Sequence, residues 1–149
     1  MGVRYLILIG LLLYAVYMDM TRTIISNRLV IVGFILGLVL RIFGEGRAGI
    51  LVYIVNISIP VILLYLLFHL RALGAGDIKL FSMVGVFVST EQLLQIMVMA
   101  FLTGAVFGVI KLLYKYFFSG KTNGKLTQIH FSPAILVACL ISIWRWTNG

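Results

Sequence analysis

Long apolar runs alternate with short polar connectors along the whole chain of 149 residues. A helix needs about 20 apolar residues to cross a membrane, and six of these runs approach or reach that length. The predicted spans are residues 5–18, 29–43, 48–70, 78–90, 93–118 and 132–146. The pattern predicts an all-α, polytopic membrane protein with six transmembrane helices in a single membrane-embedded domain, residues 1–149.

The fourth run is shorter than a membrane is thick. Counting Asp77, residues 77–90 are 14 positions, and a helix of that length rises about 21 Å against roughly 30 Å of hydrocarbon. We expect this helix to begin below the membrane surface, where neighbouring helices or a wet cavity shelter the glycine-containing turn 74–77. The first run is short in the same way, and Asp19 closes it. Both aspartates of the chain are therefore predicted at the boundaries of short spans.

The composition excludes a soluble domain. Hydrophobic residues make up 62% of the chain and charged residues 11%, whereas soluble domains average roughly 45–50% and 25%. One cysteine and two histidines exclude a zinc site of four Cys and His ligands and a disulfide within the chain, so we expect no metal and no cofactor. The net charge is +8, and the basic residues that produce it lie at span ends, where anionic membrane lipids can interact with them. Nucleic acid is therefore not expected as a partner.

The distribution of basic residues predicts the orientation of the spans. Cytoplasmic connectors of membrane proteins are enriched in Lys and Arg. With six spans, the connectors after the first, third and fifth share one side and hold eight basic residues: Arg22, Arg28, Arg71, Lys79, Lys111, Lys115, Lys121 and Lys125. The other side holds four: Arg4, Arg41, Arg47 and Arg145. The N-terminus is therefore predicted outside, and both aspartates are predicted at the cytoplasmic face of the inner membrane.

Asp19 and Asp77 form the candidate catalytic pair. Two carboxyls about 3 Å apart share a proton, so the ionised member can activate water while the protonated member polarises a peptide carbonyl. This is the chemistry of an aspartic protease. Asp77 heads a helix, whose dipole favours the charged form, and Asp19 ends one, which predicts Asp77 as the base and Asp19 as the acid. The alternative is that Asp77 simply caps the helix that follows it.

Residues near the pair have candidate supporting roles. Gly74 and Gly76 would let an extended substrate strand approach the backbone closely, with a plain tight turn as the alternative. Lys79 is predicted to leave its helix on the side opposite the aspartate, as a cation at the membrane interface. Ser132 and Pro133 are predicted to start the last helix as its N-cap and first helical residue.

Three short motifs resemble those of the type IV prepilin peptidases and preflagellin peptidases, which are membrane aspartic proteases of the Gly-x-Gly-Asp kind. Residues 74–80, GAGDIKL, resemble the family's second-aspartate motif. Asp19 followed by residues 25–27, Ile-Ser-Asn, resembles the first-aspartate motif, with serine where the family has proline. Residues 130–134, HFSPA, resemble the Phe-x-Pro entry to the family's last helix. The resemblance covers nearly the whole chain, with the three motifs in order.

The resemblance implies an endopeptidase that removes the leader of prepilin-like, pseudopilin or archaellin-like proteins at the cytoplasmic membrane face. The implied site comprises the catalytic aspartates, the motif glycines and three supporting residues: Asp19, Asp77, Gly74, Gly76, Asn27, Lys79 and Pro133. Larger members of that family carry a cysteine-containing insertion and also methylate the trimmed pilin. The single cysteine of this chain, Cys139, indicates a peptidase-only form without methyltransferase activity.

Two other functions remain open. A small proton-coupled carrier would use membrane-embedded acids to bind ions or protons, and an inactive assembly factor would keep the fold without the activity. A carrier function predicts acidic residues in the middle of spans and two similar halves of the sequence. Here both aspartates lie at span ends, and no internal repeat is visible. The sequence leaves open the substrate's identity, the bacterial or archaeal host and the oligomeric state.

Overall fold

The computed structural model describes residues 2–22, 25–70, 73–118 and 131–148. These residues form five helices: α1 (Val3–Arg22), α2 (Asn27–His69), α3 (Ala75–Phe87), α4 (Thr90–Phe118) and α5 (Ser132–Asn148). No strand occurs in the described ranges. The all-α prediction is therefore confirmed.

Helix α2 folds back on itself at Gly46. This residue has φ 61° and ψ −143°, a backbone conformation that glycine adopts readily and other residues do not. The hydroxyl of Tyr53 donates to the carbonyl of Phe34 over 3.2 Å, although 19 residues of straight helix would separate them by about 28 Å. Two antiparallel arms, residues 27–45 and 47–69, therefore correspond to the second and third predicted spans.

The reversal in α2 is tighter than the sequence predicts. A connector over residues 44–47 was expected, yet α2 has non-helical backbone angles at Gly46 alone. Glu45, beside the reversal, accepts from Arg4 of α1 at 2.7 Å and from Arg41 at 2.9 Å. These ion pairs tie the start of α1 to the reversal. We call this part of the helix bundle the reversal end.

Helix α3 is short and ends inside the bundle, where two buried side chains take up its last carbonyls. Arg41 donates from Nε to the Val86 carbonyl at 2.8 Å, and its Nη2 donates to the carbonyls of Gly85 and Val88. Asn56, from the second arm of α2, donates to the Gly85 carbonyl at 2.8 Å and to the Val88 carbonyl at 2.9 Å. Helix ends leave such carbonyls unpaired, so buried donors stabilise this end.

The position of Arg41 corrects the sequence-based expectation. The sequence assigned Arg41 to the outer membrane interface, but its side chain is 3% exposed and lies against the end of α3. The negative end of the α3 dipole and the carboxylate of Glu45 compensate for the burial of the guanidinium charge. Arg41 therefore stabilises the bundle rather than marking a membrane surface.

Three of the described helices are long and apolar enough to cross a membrane: Val3–Arg22, Asn27–His69 and Thr90–Ile110. Their outward faces carry large exposed apolar side chains, including Leu13, Tyr14, Leu51, Ile62, Leu66, Val98 and Leu102. Apolar surface of this extent is stable against lipid rather than against water. The chain is thus an integral membrane protein.

Candidate active site

Asp19 lies in the last turn of α1, on the face that packs into the bundle. Leu8, Leu12 and Ala15 precede it at spacings of four, three and four residues, and all three are at most 1% exposed. Asp19 continues this stripe and is 9% exposed. The predicted first span ended at residue 18, whereas α1 continues to Arg22. The carboxylate therefore projects from a helix into the protein interior, rather than from a connector beyond the helix.

Ser132 holds the Asp19 carboxyl. Its hydroxyl donates to Oδ2 of Asp19 over 2.5 Å, and the serine side chain is fully buried. The sequence predicted Ser132 as the N-cap of the last helix. In the structure the Phe131 carbonyl accepts from the N–H groups of Ala134 at 3.0 Å and Ile135 at 3.2 Å, so the helical bonds begin one residue earlier. Ser132 is therefore helical, with the half-buried Pro133 next to it in the first turn.

Asp77 lies in the first turn of α3, not at its cap. Helix α3 begins at Ala75 after the N-cap Gly74, three residues before the predicted start at Ile78. The N–H of Gly74 donates to Oδ2 of Asp77 at 3.2 Å, and the N–H of Asp77 donates to the Gly74 carbonyl at 3.1 Å. These two bonds satisfy donors at the start of the helix, which explains the earlier start. Asp77 is thus the third residue of the helix rather than its N-cap, but its carboxylate does take part in capping.

Ile25, just before α2, packs against the first turn of α3. A Cβ atom at Gly76 would lie 3.1 Å from Cδ1 of Ile25, so the glycine lets the isoleucine approach the helix closely. Nearby, the ammonium of Lys79 donates to Oδ1 of Asn27 at 2.8 Å. Lys79 is exposed, as expected of an interfacial cation, but its side chain reaches the start of α2. The structure thus brings together Gly76, Asn27 and Lys79, three of the predicted site residues.

A cluster of three phenylalanines connects α3 to the start of α5. Phe81 lies one turn beyond Asp77, and its ring centroid is 6.2 Å from that of Phe131. Phe101 of α4 lies 5.5 Å from Phe131 and 6.1 Å from Phe81. Since Phe131 adjoins Ser132, which bonds to Asp19, the two aspartates lie at the same end of the bundle. We call this the aspartate end.

The aspartate end offers acid–base chemistry. It has a buried carboxyl held by a serine hydroxyl, a half-buried carboxyl in a helix's first turn, and an exposed ammonium. Among the described residues, no group of three or more His, Cys, Asp or Glu side chains is arranged to hold a metal ion. The side chains present suit proton transfer to and from a bound substrate or water.

Comparison with known proteins identifies the family. Residues 6–109 match the model of the type IV leader peptidase family. A curated relative, the prepilin leader peptidase/N-methyltransferase of Myxococcus xanthus (strain DK1622), is 26% identical over 96% of this chain. The chain spans 43% of that relative's length. No solved structure matches the chain. The family predicted from the three motifs is confirmed: the chain belongs to the type IV leader peptidase family.

Proposed function

We propose that this protein is a membrane aspartic endopeptidase that removes the leader from prepilin-like proteins at the cytoplasmic face of the inner membrane. Family membership and the name of the Myxococcus xanthus relative support a prepilin peptidase role. The observation that carries the mechanism is the location of Asp19 and Asp77 at one end of the bundle, linked through residues 131–132. Two carboxyls there suffice for peptide hydrolysis without a serine or cysteine nucleophile.

In the proposed reaction, water adds to the scissile carbonyl. Asp77, in the first turn of α3, accepts a proton from the water, and Asp19 donates a proton to the carbonyl oxygen. The positive end of the α3 dipole favours the ionised form of Asp77, which suits the base. The tetrahedral diol then collapses: Asp77 gives its proton to the leaving nitrogen, Asp19 takes a proton back from a diol hydroxyl, and the C–N bond breaks. The products are the leader with a new carboxylate and the trimmed protein with a new amine.

The proposed substrate places its scissile bond where a cytoplasmic leader meets an apolar helix. The site lies at the ends of helices whose flanks are apolar, so a substrate helix can pack beside them in the membrane. A basic leader would gain nothing from the positive charge of Lys79 and Arg28 at this end. Recognition therefore depends on the apolar helix and the scissile backbone rather than on leader charge.

We further propose six membrane crossings with the N-terminus outside. Counting the two arms of α2 separately, the described residues contain six helical segments. The short ones are α3, with 13 residues, and α5, with 17, which rise about 20 Å and 26 Å. Capping of α3 by Arg41 and Asn56 lets that helix end at membrane depth. The predicted orientation rests on a count of basic residues, of which Arg71, Lys121 and Lys125 lie outside the described ranges.

The test is cleavage of a prepilin-like substrate with its leader and apolar helix, by purified protein in liposomes. Asp19→Asn and Asp77→Asn preserve side-chain shape and remove the acid, so each should lower the rate at least a hundredfold. Glu91→Gln, which neutralises an exposed acid at the start of α4, should cut at the wild-type rate. A folded Asp19→Asn or Asp77→Asn variant that keeps most of its rate would contradict the catalytic pair. Absence of cutting by the wild type on several leaders would contradict the function.

The proposed absence of methyltransferase activity is tested by the mass of the cleavage product. The trimmed product exposes a new N-terminal amine, which a methyltransferase would methylate with S-adenosylmethionine as methyl donor. We expect the product formed with S-adenosylmethionine present to have the mass of the unmethylated chain. A mass increase of one methyl group that depends on this protein would overturn the proposal of a peptidase-only enzyme.

A further inference from the structure

The hydrogen bond between Ser132 and Asp19 has the geometry of a strong, directed contact. The O···O distance is 2.5 Å, at the short end of the range for a hydroxyl donating to a carboxylate. Ser132 is 0% exposed and Asp19 is 9% exposed, so water competes weakly for either group. A serine hydroxyl carries one hydrogen, and here that hydrogen is directed at Oδ2. The contact therefore fixes the orientation of the carboxyl group.

The serine is itself held in place by its neighbours. The Phe131 ring packs between Phe81 and Phe101, and a Cβ atom at Gly104 of α4 would overlap that ring. The Phe131 carbonyl accepts the first two helical bonds of α5, and proline at position 133 restricts the backbone next to the serine. The hydroxyl therefore points at the aspartate from a backbone that packing has already fixed.

This arrangement distinguishes the two oxygens of Asp19. In a protonated carboxyl the carbonyl oxygen is a better hydrogen-bond acceptor than the hydroxyl oxygen. Because Oδ2 accepts from Ser132, a proton on Asp19 is directed to Oδ1. The acid of the proposed mechanism would then present its proton from one defined oxygen, as transfer to a scissile carbonyl requires.

We propose that Ser132 is a positioning residue that orients the Asp19 carboxyl for proton transfer to the substrate. The proposal rests on the peptidase function proposed above. Ser132 acts through Asp19 and need not touch the substrate, so its loss should affect the chemical step more than binding. A residue that merely packs α5 against α1 would instead change the amount of folded protein, with kcat per folded molecule unchanged.

The test compares Ser132→Ala and Ser132→Cys with the wild type, using rates normalised to the folded fraction. We expect Ser132→Ala to lower kcat about tenfold or more with KM within about twofold, since tenfold corresponds to about 1.4 kcal/mol, the scale of a hydrogen bond to a charged group. Ser132→Cys keeps a weaker donor of similar shape, so its kcat should lie between that of the wild type and that of Ser132→Ala. The control is Ser142→Ala, a serine 5% exposed on the same helix and about 15 Å farther along it.

Each outcome supports or overturns the proposal. Unchanged kcat in folded Ser132→Ala overturns it, and so does a similar loss of kcat in Ser142→Ala. If Ser132→Ala does not fold, the near-isosteric Ser132→Cys decides, because a folded cysteine variant with wild-type kcat overturns the proposal. If the wild type and Ser132→Ala cut at the same rate but Asp19→Asn does not cut, the role of Ser132 is overturned and the peptidase function stands. Failure of the wild type to cut would remove the peptidase function together with it.

Discussion

Lys79 and Asn27 are joined by a hydrogen bond of 2.8 Å between the lysine ammonium and the asparagine side-chain oxygen. Lys79 lies two residues beyond Asp77, and Asn27 begins α2, after the connector that follows α1. The two sequence motifs that carry the aspartates are thus in direct contact. This contact sets the position of α3 relative to the connector at the aspartate end.

The first prediction concerns this contact. Lys79→Met and Asn27→Ala should each lower kcat/KM about two- to fivefold, because an exposed bond to a charged group contributes about 0.5–1 kcal/mol. The double variant should have a kcat/KM no lower than that of the less active single variant, since both changes remove the same bond. Steady-state cleavage by the four proteins measures this coupling. Arg28→Gln, which removes an exposed positive charge beside Asn27, serves as the control, and additive losses would contradict the prediction.

The second prediction separates the two motif glycines. An added Cβ at Gly74 would lie 3.2 Å from Oδ2 of Asp77, whereas one at Gly76 would lie 3.1 Å from Cδ1 of Ile25. The end of an isoleucine side chain can move, but displacement of the carboxylate disturbs the proposed base. Gly74→Ala should therefore lower kcat about tenfold or more, and Gly76→Ala about threefold, a gap of roughly 0.7 kcal/mol.

A compensating change tests the cause of the Gly76 effect. Ile25→Val removes Cδ1, the atom closest to the added methyl group, so combining it with Gly76→Ala should restore most of the rate. Combining Ile25→Val with Gly74→Ala should restore nothing, because that methyl group meets the carboxylate. Rescue of both glycine variants, or of neither, would show that the crowding at Ile25 is not what limits activity.

The third prediction concerns stability at the reversal end. Arg41→Met removes the guanidinium bonds to three carbonyls at the end of α3, two of which keep a bond from Asn56, and leaves Glu45 without one of its cations. We expect a loss of about 2–4 kcal/mol in the free energy of unfolding, as for other buried charged hydrogen bonds. Thr90→Val removes a single bond to Asn56 of 2.7 Å and should cost about 1 kcal/mol.

Denaturation in detergent, followed by circular dichroism, measures both changes. Arg145→Met is the matched control, because it removes an exposed arginine from the last turns of α5. Its free energy of unfolding should stay within about 0.5 kcal/mol of the wild type. If Arg41→Met were no more damaging than Arg145→Met, capping by Arg41 would not be what lets α3 end inside the bundle.

The fourth prediction tests orientation. Lys79 lies at the aspartate end and Arg47 lies beside the reversal, and both side chains are exposed. In a Cys139→Ala background, Lys79→Cys should react with a membrane-impermeant maleimide in inverted vesicles, and Arg47→Cys should react in intact spheroplasts. Labelling of both positions from the same side would contradict the proposed six-span topology.

The helices that depend on continuous apolar sequence could be predicted closely. The last two spans were predicted at 93–118 and 132–146, and the helices occupy Thr90–Phe118 and Ser132–Asn148. The ends of α1 and α3 were less accurate because polar residues there remain helical. At α3 the Asp77 carboxylate accepts from Gly74, so residues that read as a turn form the first helical turn.

The contacts of Ser132 and Arg41 could not be predicted, because they depend on distant parts of the chain. Ser132 and Asp19 are 113 positions apart, and a serine before a proline at a helix start is adequately explained as a cap. Arg41 resembles an interfacial cation in the sequence because its partners on α3 are backbone carbonyls, which have no sequence signature. Asn56, a polar side chain within an apolar run, was the available signal, since buried amides require partners.

The reversal at Gly46 also determines which end of the bundle the later helices reach. Between the end of α1 and the start of α3, the chain travels the length of the bundle twice, and an even number of traverses returns it to the end it left. A straight α2 of 43 residues would extend about 64 Å and deliver Asp77 far from Asp19. The parity of the fold therefore depends on the torsion angles of one glycine. So does the location, at one end of the bundle, of two acids that are 58 positions apart in sequence.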